Sequence, residues 1–396
     1  MIQQENKKKI LVFSSREICY MSSSFFAGQI GAAFEKLGFE TEVCEFSKED
    51  DLDRVLEPYI GTPYELIIDF NSMLPKVVME DGTPYLDKLD GPFFDYILDH
   101  PLFHYNCLSC NVKNLHAIVL DEAQKRYVER YYTKVKSVSM LPLGATCALY
   151  QGEKRRDCRI FFPGSYDRPE RVYEIIKVSP QPLRGMMEEL VCRRLAEPLL
   201  PMEEAFHEYL MERDMELEDG QFALFMNAMY PVDAFVRDYF RKAALDELLK
   251  KKLPVTVIGE GWEKYSASEE ANLCRERGVP FGLSFEKIAK EHILLNVSPI
   301  FNRGMHDRIS AGMANHAVVL TDENPYLTTR FCNGKQICFY SLSDLETLSE
   351  QAGMLVEQEE VRRQIATRAY EEFTEHDTWI CRAKAILSIA AATVAE

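Results

Sequence analysis

The stretch Ile293-Leu-Leu-Asn-Val-Ser-Pro-Ile-Phe-Asn-Arg-Gly-Met-His-Asp-Arg-Ile-Ser-Ala-Gly-Met-Ala-Asn-His-Ala-Val-Val-Leu-Thr-Asp-Glu-Asn-Pro-Tyr-Leu327 decides the fold. Two brief apolar runs, Ile293 to Val297 and Ala317 to Leu320, have the continuous hydrophobicity of parallel strands buried on both faces. Between them a polar loop leads into a short helix. Asn302, Arg303, Gly304, His306, Asp307 and Arg308 crowd that loop and the first helical turn. A second polar cluster, Thr321, Asp322, Glu323 and Asn324, follows the second strand. In an open parallel sheet both clusters fall at strand carboxyl ends, where ligands bind.

Outward from this unit the same alternation recurs. Lys9 to Phe13 and Glu40 to Phe46 have strand character and flank a helix predicted over Phe25 to Leu37, which Ser22, Ser23 or Ser24 can cap and Gly38 can end. Ser14 to Ser24 is a polar loop. Further strands are predicted at Tyr64–Phe70, Phe93–Leu98 and Asn114–Leu120, with a helix over Glu122–Tyr132. After the charged Lys154–Asp157 the pattern restarts at Arg159–Phe162. A long helical span, 169–252, is broken by prolines and has the look of an inserted subdomain. Strands follow at Pro254–Ile258, weakly at Pro280–Gly282, and at Gln336–Tyr340. Helices are predicted over Ser341–Leu355, Glu359–Phe373 and Asp377–Ala392. The fold class is therefore α/β with two Rossmann-like domains: 1–156, then 157–376 with the helical insert, then a terminal helix over 377–396.

With 396 residues the chain has length for two or three domains. A net charge of −17 argues against a nucleic-acid partner, since phosphate backbones require a concentrated basic face. No run is long and apolar enough for a membrane span. Met1 to Lys9 is polar and leads straight into a strand, so no cleaved leader is expected. Eleven cysteines lie scattered, several within apolar runs, as reduced thiols of a cytoplasmic protein would. Cys107-Leu-Ser-Cys110 lacks the second pair that a zinc site requires, and His100 with His104 is interrupted by Pro101, so no metal and no cofactor is expected.

Several strand ends carry candidate chemistry. Asp99-His100 could pair a general base with its orienting carboxylate, or His100 could fix the turn before Pro101. Gly164 and Ser165 follow one strand, and Gly259-Glu-Gly261-Trp262 another. The latter is not a dinucleotide fingerprint, because Lys264 replaces the third glycine. It is a turn where backbone approaches a ligand, or only a turn. Trp262 could stack on a base or pack inside. The helix beginning near Met305 offers a positive dipole to a diphosphate, and Arg303 or Arg308 adds charge and bidentate hydrogen bonds. Arg308 could instead pair with Asp307 or Asp322.

Four pieces of the second half resemble spore-protein-type (CgeB-like) glycosyltransferases of the GT-B fold. They are Phe161-Phe-Pro-Gly-Ser165, Val257-Ile-Gly-Glu-Gly-Trp262, Asn296-Val-Ser-Pro with Gly304-Met-His-Asp-Arg308, and Val318 to Leu327. Asp99-His-Pro-Leu-Phe-His104 and Leu141-Pro-Leu-Gly144 resemble the N-terminal domain often fused to them. The resemblance implies two Rossmann-like domains facing across a cleft, with a terminal helix crossing back to the first. It implies metal-independent transfer of a sugar from a nucleotide-sugar donor, itself a substrate, to a glycan, protein or small-molecule acceptor. Gly304 to Arg308 would then face the donor diphosphate and sugar, Asp322, Glu323 and Asn324 the sugar or phosphate side, Gly164 and Ser165 the cleft border, and Gly259 to Trp262 the nucleobase. Many such enzymes carry two Glu residues eight positions apart; Arg303 and Ala311 stand there, and His316 replaces a small residue. That departure keeps a second reading open, a non-catalytic GT-B-like nucleotide-binding or scaffold protein. A nucleotide-sugar epimerase or hydrolase on the same fold is a third.

Overall fold

Two six-stranded, all-parallel sheets organise the chain. The structure is a computed structural model describing residues 8–15, 22–47, 49–149, 153–155, 157–266 and 270–394. Residues 1–7, and 16–21 of the loop expected after the first strand, lie outside them.

The first sheet comprises β1 (Lys9–Ser15), β2 (Glu40–Phe46), β3 (Leu66–Phe70), β4 (Phe93–Tyr96), β5 (Leu115–Val119) and β6 (Val138–Met140), in the order β2-β1-β3-β4-β5-β6. Its helices are α1 (Ser22–Lys36), α2 (Leu52–Leu56), α3 (Tyr105–Leu108) and α4 (Glu122–Tyr131). Gly38, at φ 96°, turns the chain out of α1. Asp121 caps α4, its Oδ1 accepting from the Ala123 and Gln124 amides at 2.7 and 3.3 Å.

The second sheet follows the helices in a less regular way. It comprises β7 (Ile160–Pro163), β8 (Val255–Ile258), β9 (Leu273–Glu276), β10 (Ile293–Asn296), β11 (Val318–Asp322) and β12 (Cys338–Tyr340), in the order β12-β11-β10-β7-β8-β9. Five helices fill the crossover from β7 to β8: α5 (Pro169–Val178), α6 (Leu183–Ala196), α7 (Met202–Met211), α8 (Asp219–Ala228) and α9 (Tyr230–Lys250). Then come α10 (Phe281–Ala289), α11 (Asp307–Ala314), α12 (Pro325–Arg330), α13 (Glu346–Glu357) and α14 (Glu359–His376). The weak strand expected at Pro280–Gly282 is not one. Pro280 precedes α10, whose Phe285, Ile288 and Ala289 are buried with helical spacing. The edge strand is instead β9, where half-exposed residues pair on one side only, with β8. The helix expected from Ser341 starts later, at Glu346, because Ser341 and Asp344 form a bridged turn.

The chain divides into two compact units, Met1–Gly144 with Thr378–Glu396, and Ala145–Asp377. The last helix, α15 (Trp379–Val394), belongs to the first unit and packs on α1. Trp379 lies 5.9 Å from Phe26, which in turn lies 5.7 Å from Phe70 of β3. The division between the units comes before the charged Lys154–Asp157 stretch. By then the chain is tied into the second unit: the Ala148 amide donates to Asn315 Oδ1 at 2.8 Å, and Lys154 Nζ donates to the His316 carbonyl at 3.0 Å.

One feature of the second sheet locates a site. From β7 the chain proceeds outward through β8 and β9, while β10, β11 and β12 extend the other way. The order reverses between β7 and β10. Loops leaving neighbouring strands at such a switch point diverge and open a crevice beyond the carboxyl edge.

Candidate donor site

Two loops border that switch point, Gly164 to Arg168 after β7 and Val297 to His306 after β10. The first is joined to the loop after β8. The Gly164 amide donates to the Ile258 carbonyl and the Tyr166 amide to the Glu260 carbonyl, both at 2.9 Å. The two backbones run so close that a Cβ on Gly259 would sit 2.3 Å from the Gly164 carbonyl oxygen, and one on Gly261 only 1.9 Å from that of Tyr166. Both glycines also have positive φ, 139° and 85°. Loop-to-loop contact therefore accounts for them without a ligand. Trp262 belongs to the same joint. It is 2% exposed, stacks on Tyr166 at 5.0 Å and donates its indole N–H to the Gly164 carbonyl at 2.7 Å. Its ring is an interior packing group, not a surface offered to a nucleobase.

After β10 a buried hydrogen-bond network sets the second loop. Asn296 donates to Thr321 Oγ1 at 2.9 Å, while its Oδ1 accepts from Ser298 Oγ at 2.9 Å and from Arg308 Nη1 at 3.0 Å. Tyr340 donates its hydroxyl to the Asn296 carbonyl at 2.8 Å. Asp322 accepts from the Ser298 amide at 2.8 Å, and burial pushes its carboxyl up to about 7. Arg308 is thus oriented by a neutral amide; among the described residues it makes no ion pair with Asp307 or Asp322. Its Nη2 lies 3.1 Å from where a Cβ on Gly164 would be, so the guanidinium faces the β7 loop across the switch point.

His306 caps α11 through Nδ1, which accepts from the Arg308 amide at 3.1 Å. Burial pushes the ring's pKa down, favouring the neutral form that a capping acceptor must have. Asp307 Oδ1 lies 2.5 Å from the same nitrogen, so a proton arriving there is shared with the carboxylate. Burial raises the Asp307 pKa, but His306 and Arg308 outweigh it and hold the group at about 2.

The other expected site residues have different duties. Arg303 pairs with Glu204 of α7 at 3.1 Å. Asn324, 3% exposed, caps α12 and donates to the Phe301 and Gly304 carbonyls at 2.8 and 3.0 Å. It straps the loop from behind. Glu323 is exposed, its amide bonded to the Tyr340 carbonyl. Ala311 is buried within α11, and His316 ends that helix at φ 55°, stacked on Tyr370 at 4.0 Å. In the first unit Asp99 accepts from Asn71 at 2.9 Å, while His100 Nδ1 accepts from the Leu102 amide at 3.0 Å. That is the turn-fixing arrangement. General-base work would have to run through Nε2 of a ring only 4% exposed.

Two arginines unsuspected from the sequence join the site. Arg241 of α9 donates to the Ser165 carbonyl at 3.1 Å and acts electrostatically on His306. Arg237, one turn earlier, sits 3.3 Å from Asp238 and acts on Arg308. Their only sequence signal is the four-residue spacing on the helix that leads into β8. The β7 loop thereby has a cationic group beside it from each of two separate elements, Arg241 of α9 and Arg308 of α11. Such an arrangement can take up the charge of a diphosphate.

Residues 237–388 match the model of a family described as glycosyl transferase-like. No curated protein sequence matches the chain. Among solved structures, an alpha-glucosyltransferase in complex with UDP and a 13-mer DNA is similar at 12% identity and TM-score 0.58, covering 97% of this chain and 100% of that one. Sucrose-phosphate synthase from Thermosynechococcus elongatus is similar at 10% identity and TM-score 0.54, covering 98% and 100%. T4 phage BGT in complex with UDP-glucose is similar at 11% identity and TM-score 0.52, covering 96% and 99%. The protein therefore has the GT-B fold, and its segment from Arg237 to Ser388 is glycosyl transferase-like.

Proposed function

We propose that the protein is a glycosyltransferase that moves a sugar from a nucleoside-diphosphate donor to an acceptor hydroxyl or side chain. The observation that carries this is the placement of Arg308. It is held by Asn296 at the head of α11, faces Gly164 across the switch point, and has Arg241 and Arg237 nearby. The glycosyl transferase-like match over the same segment supports it. In this reading Arg308 and the α11 dipole bind the diphosphate and stabilise its charge as the glycosidic bond to phosphate breaks. Three guanidinium groups would do what a divalent cation does elsewhere, so transfer needs no metal. UDP is the first donor nucleotide to test, because two of the similar structures hold UDP or UDP-glucose. One of them also holds DNA, but a net charge of −17 makes DNA a poor acceptor here. A glycan, protein or small molecule fits better. Closer kinship with the spore-protein-type group rests on the quoted motif residues, and a cytoplasmic setting on ten described cysteines, none of which forms a disulfide.

The test is thermal unfolding with UDP, GDP, ADP, CMP and TDP at millimolar concentration. A nucleotide at about 100 times its Kd stabilises the fold by about 2.7 kcal/mol. No shift with any of them would remove the donor site. A second reading, nucleotide binding without transfer, is favoured by Arg303 and Ala311, which leave no carboxylate at the two positions where one would hold sugar and ribose. Binding without donor hydrolysis or transfer to any acceptor would select it. Release of free sugar or an epimerised donor, without added acceptor, would select a hydrolase or epimerase instead.

A further inference from the structure

The loop from Val297 to His306 carries the α11 cap but contains no helix or strand of its own. Its position must come from what grips it. On one side Asn324 does so. On the other the grip comes from the helical insert, where Glu204 pairs with Arg303 at the surface and one buried side chain reaches further in.

Arg194 of α6 is 2% exposed. Its Nη2 donates to the Pro299 carbonyl at 2.7 Å, and its Nη1 to Asn302 Oδ1 at 3.3 Å and to the Leu200 carbonyl. Asn302 completes the joint, donating to the Pro198 and Pro299 carbonyls at 2.9 and 3.0 Å. The guanidinium thus ties the α6–α7 turn to the loop at two points. Burying a guanidinium is costly unless its donors are matched, and its rigid planar fork fixes several acceptors at once. A packed apolar side chain would fill the same space without fixing any carbonyl.

We propose that Arg194 is a positioning residue for the diphosphate subsite. By holding Pro299 and Asn302 it sets the path of the loop, and so the place of Gly304 and the His306 cap at the head of α11. The insert is then a clamp on the donor loop. This rests on the donor-site reading above. The clamp acts on the diphosphate and not on the nucleoside, because the groups it holds, Leu200, Pro299 and Asn302, lie on the α6–α7 turn and the loop after β10 and not on the loops after β7 and β8.

The experiment uses the full chain with Arg194→Met and Arg194→Lys. UDP and uridine affinities are measured by calorimetry, and hydrogen exchange is followed in the peptide spanning Val297 to Ile309. In Arg194→Met, exchange should accelerate there but not in β10, as the Phe301 and Ile309 amides lose their loop bonds to Ser298 and His306. The Kd for UDP should rise roughly tenfold or more, since small misplacements in a preorganised site are costly. Uridine affinity should stay within about twofold, a change of under half a kcal/mol. Lys, with one nitrogen for three acceptors, should recover only part of the loss. Should Arg194→Met not fold, Asn302→Ala removes three bonds of the same joint, one of them shared with Arg194, and must behave alike. Unchanged UDP binding in a variant whose parent binds UDP overturns the proposal alone. So does equal weakening of UDP and uridine, or a lower melting temperature with loop exchange unchanged. If the parent binds no nucleoside diphosphate while loop exchange accelerates in the variant, the donor-site reading fails and takes the proposal with it, leaving only a structural clamp.

Discussion

Replacing Gly261 by Ala tests whether the glycines after β8 serve a ligand or a neighbouring loop. The new Cβ would sit 1.9 Å from the Tyr166 carbonyl oxygen, on backbone with φ 85°. A left-handed alanine costs about 1 kcal/mol. The overlap is with backbone, so the two loops must part, losing the hydrogen bonds from Tyr166 to Glu260 and from the Trp262 indole to Gly164. At about 1 kcal/mol each, the total is about 3 kcal/mol. With a urea slope of about 3 kcal/mol per molar, the midpoint falls by about 1 M. The two tryptophans, Trp262 and Trp379, lie one in each unit. In a Trp379→Phe background, fluorescence therefore follows Trp262 and the second unit. Gly278→Ala is the control, since its Cβ would have only ordinary contact at 3.6 Å. A midpoint within about 0.2 M of the parent, roughly 0.6 kcal/mol on that slope, combined with lost nucleotide binding, would refute the loop-joint explanation and restore close ligand approach as the reason for the glycine.

Further outcomes are expected at the site. Arg308→Met should cost about 3 kcal/mol of diphosphate affinity, a factor of about 100 or more in Kd by calorimetry; near-normal binding would remove Arg308 from the site. Asp322 has its pKa raised by burial from 3.8 to about 7, so its favourable contribution is complete below the unfolded value and is lost as pH rises through 7. Asp322→Asn keeps an acceptor for Ser298, so its stability relative to the parent should improve from pH 4 to pH 8, by at most about 4 kcal/mol; a gap independent of pH would contradict a buried, raised carboxyl. Excess EDTA should leave sugar transfer unchanged, whereas a loss that magnesium restores would overturn transfer without a metal.

The periodic parts of the fold were legible because they depend on local patterning. Ile293–Asn296 and Val318–Asp322 are buried throughout and apolar up to their polar carboxyl ends, as parallel strands covered on both faces are. The edge strand at Leu273–Glu276 was missed for the complementary reason: half-exposed on one edge, it has no such run. Gly304 to Arg308 stood out because polar groups gathered after a buried strand have few other uses. Their division of labour was not legible. Arg303, Trp262 and Asn324 resemble ligand contacts in sequence, yet each is engaged by a residue remote along the chain. Arg237 and Arg241 gave no warning, since they are ordinary helix residues until α9 is laid beside the β7 loop.

The sequence alone therefore determined the strands and polar strand ends of Ile293 to Leu327, because hydrophobic period and strand-end polarity are properties of neighbouring residues, and its quoted motifs carried the resemblance to glycosyltransferases. Only the tertiary structure decided which side chains come together beside the β7 loop and which are engaged elsewhere. Hydrogen-bond partners such as Arg194 with Asn302, or Arg308 with Asn296, are chosen by how the elements pack, and no local rule contains that choice.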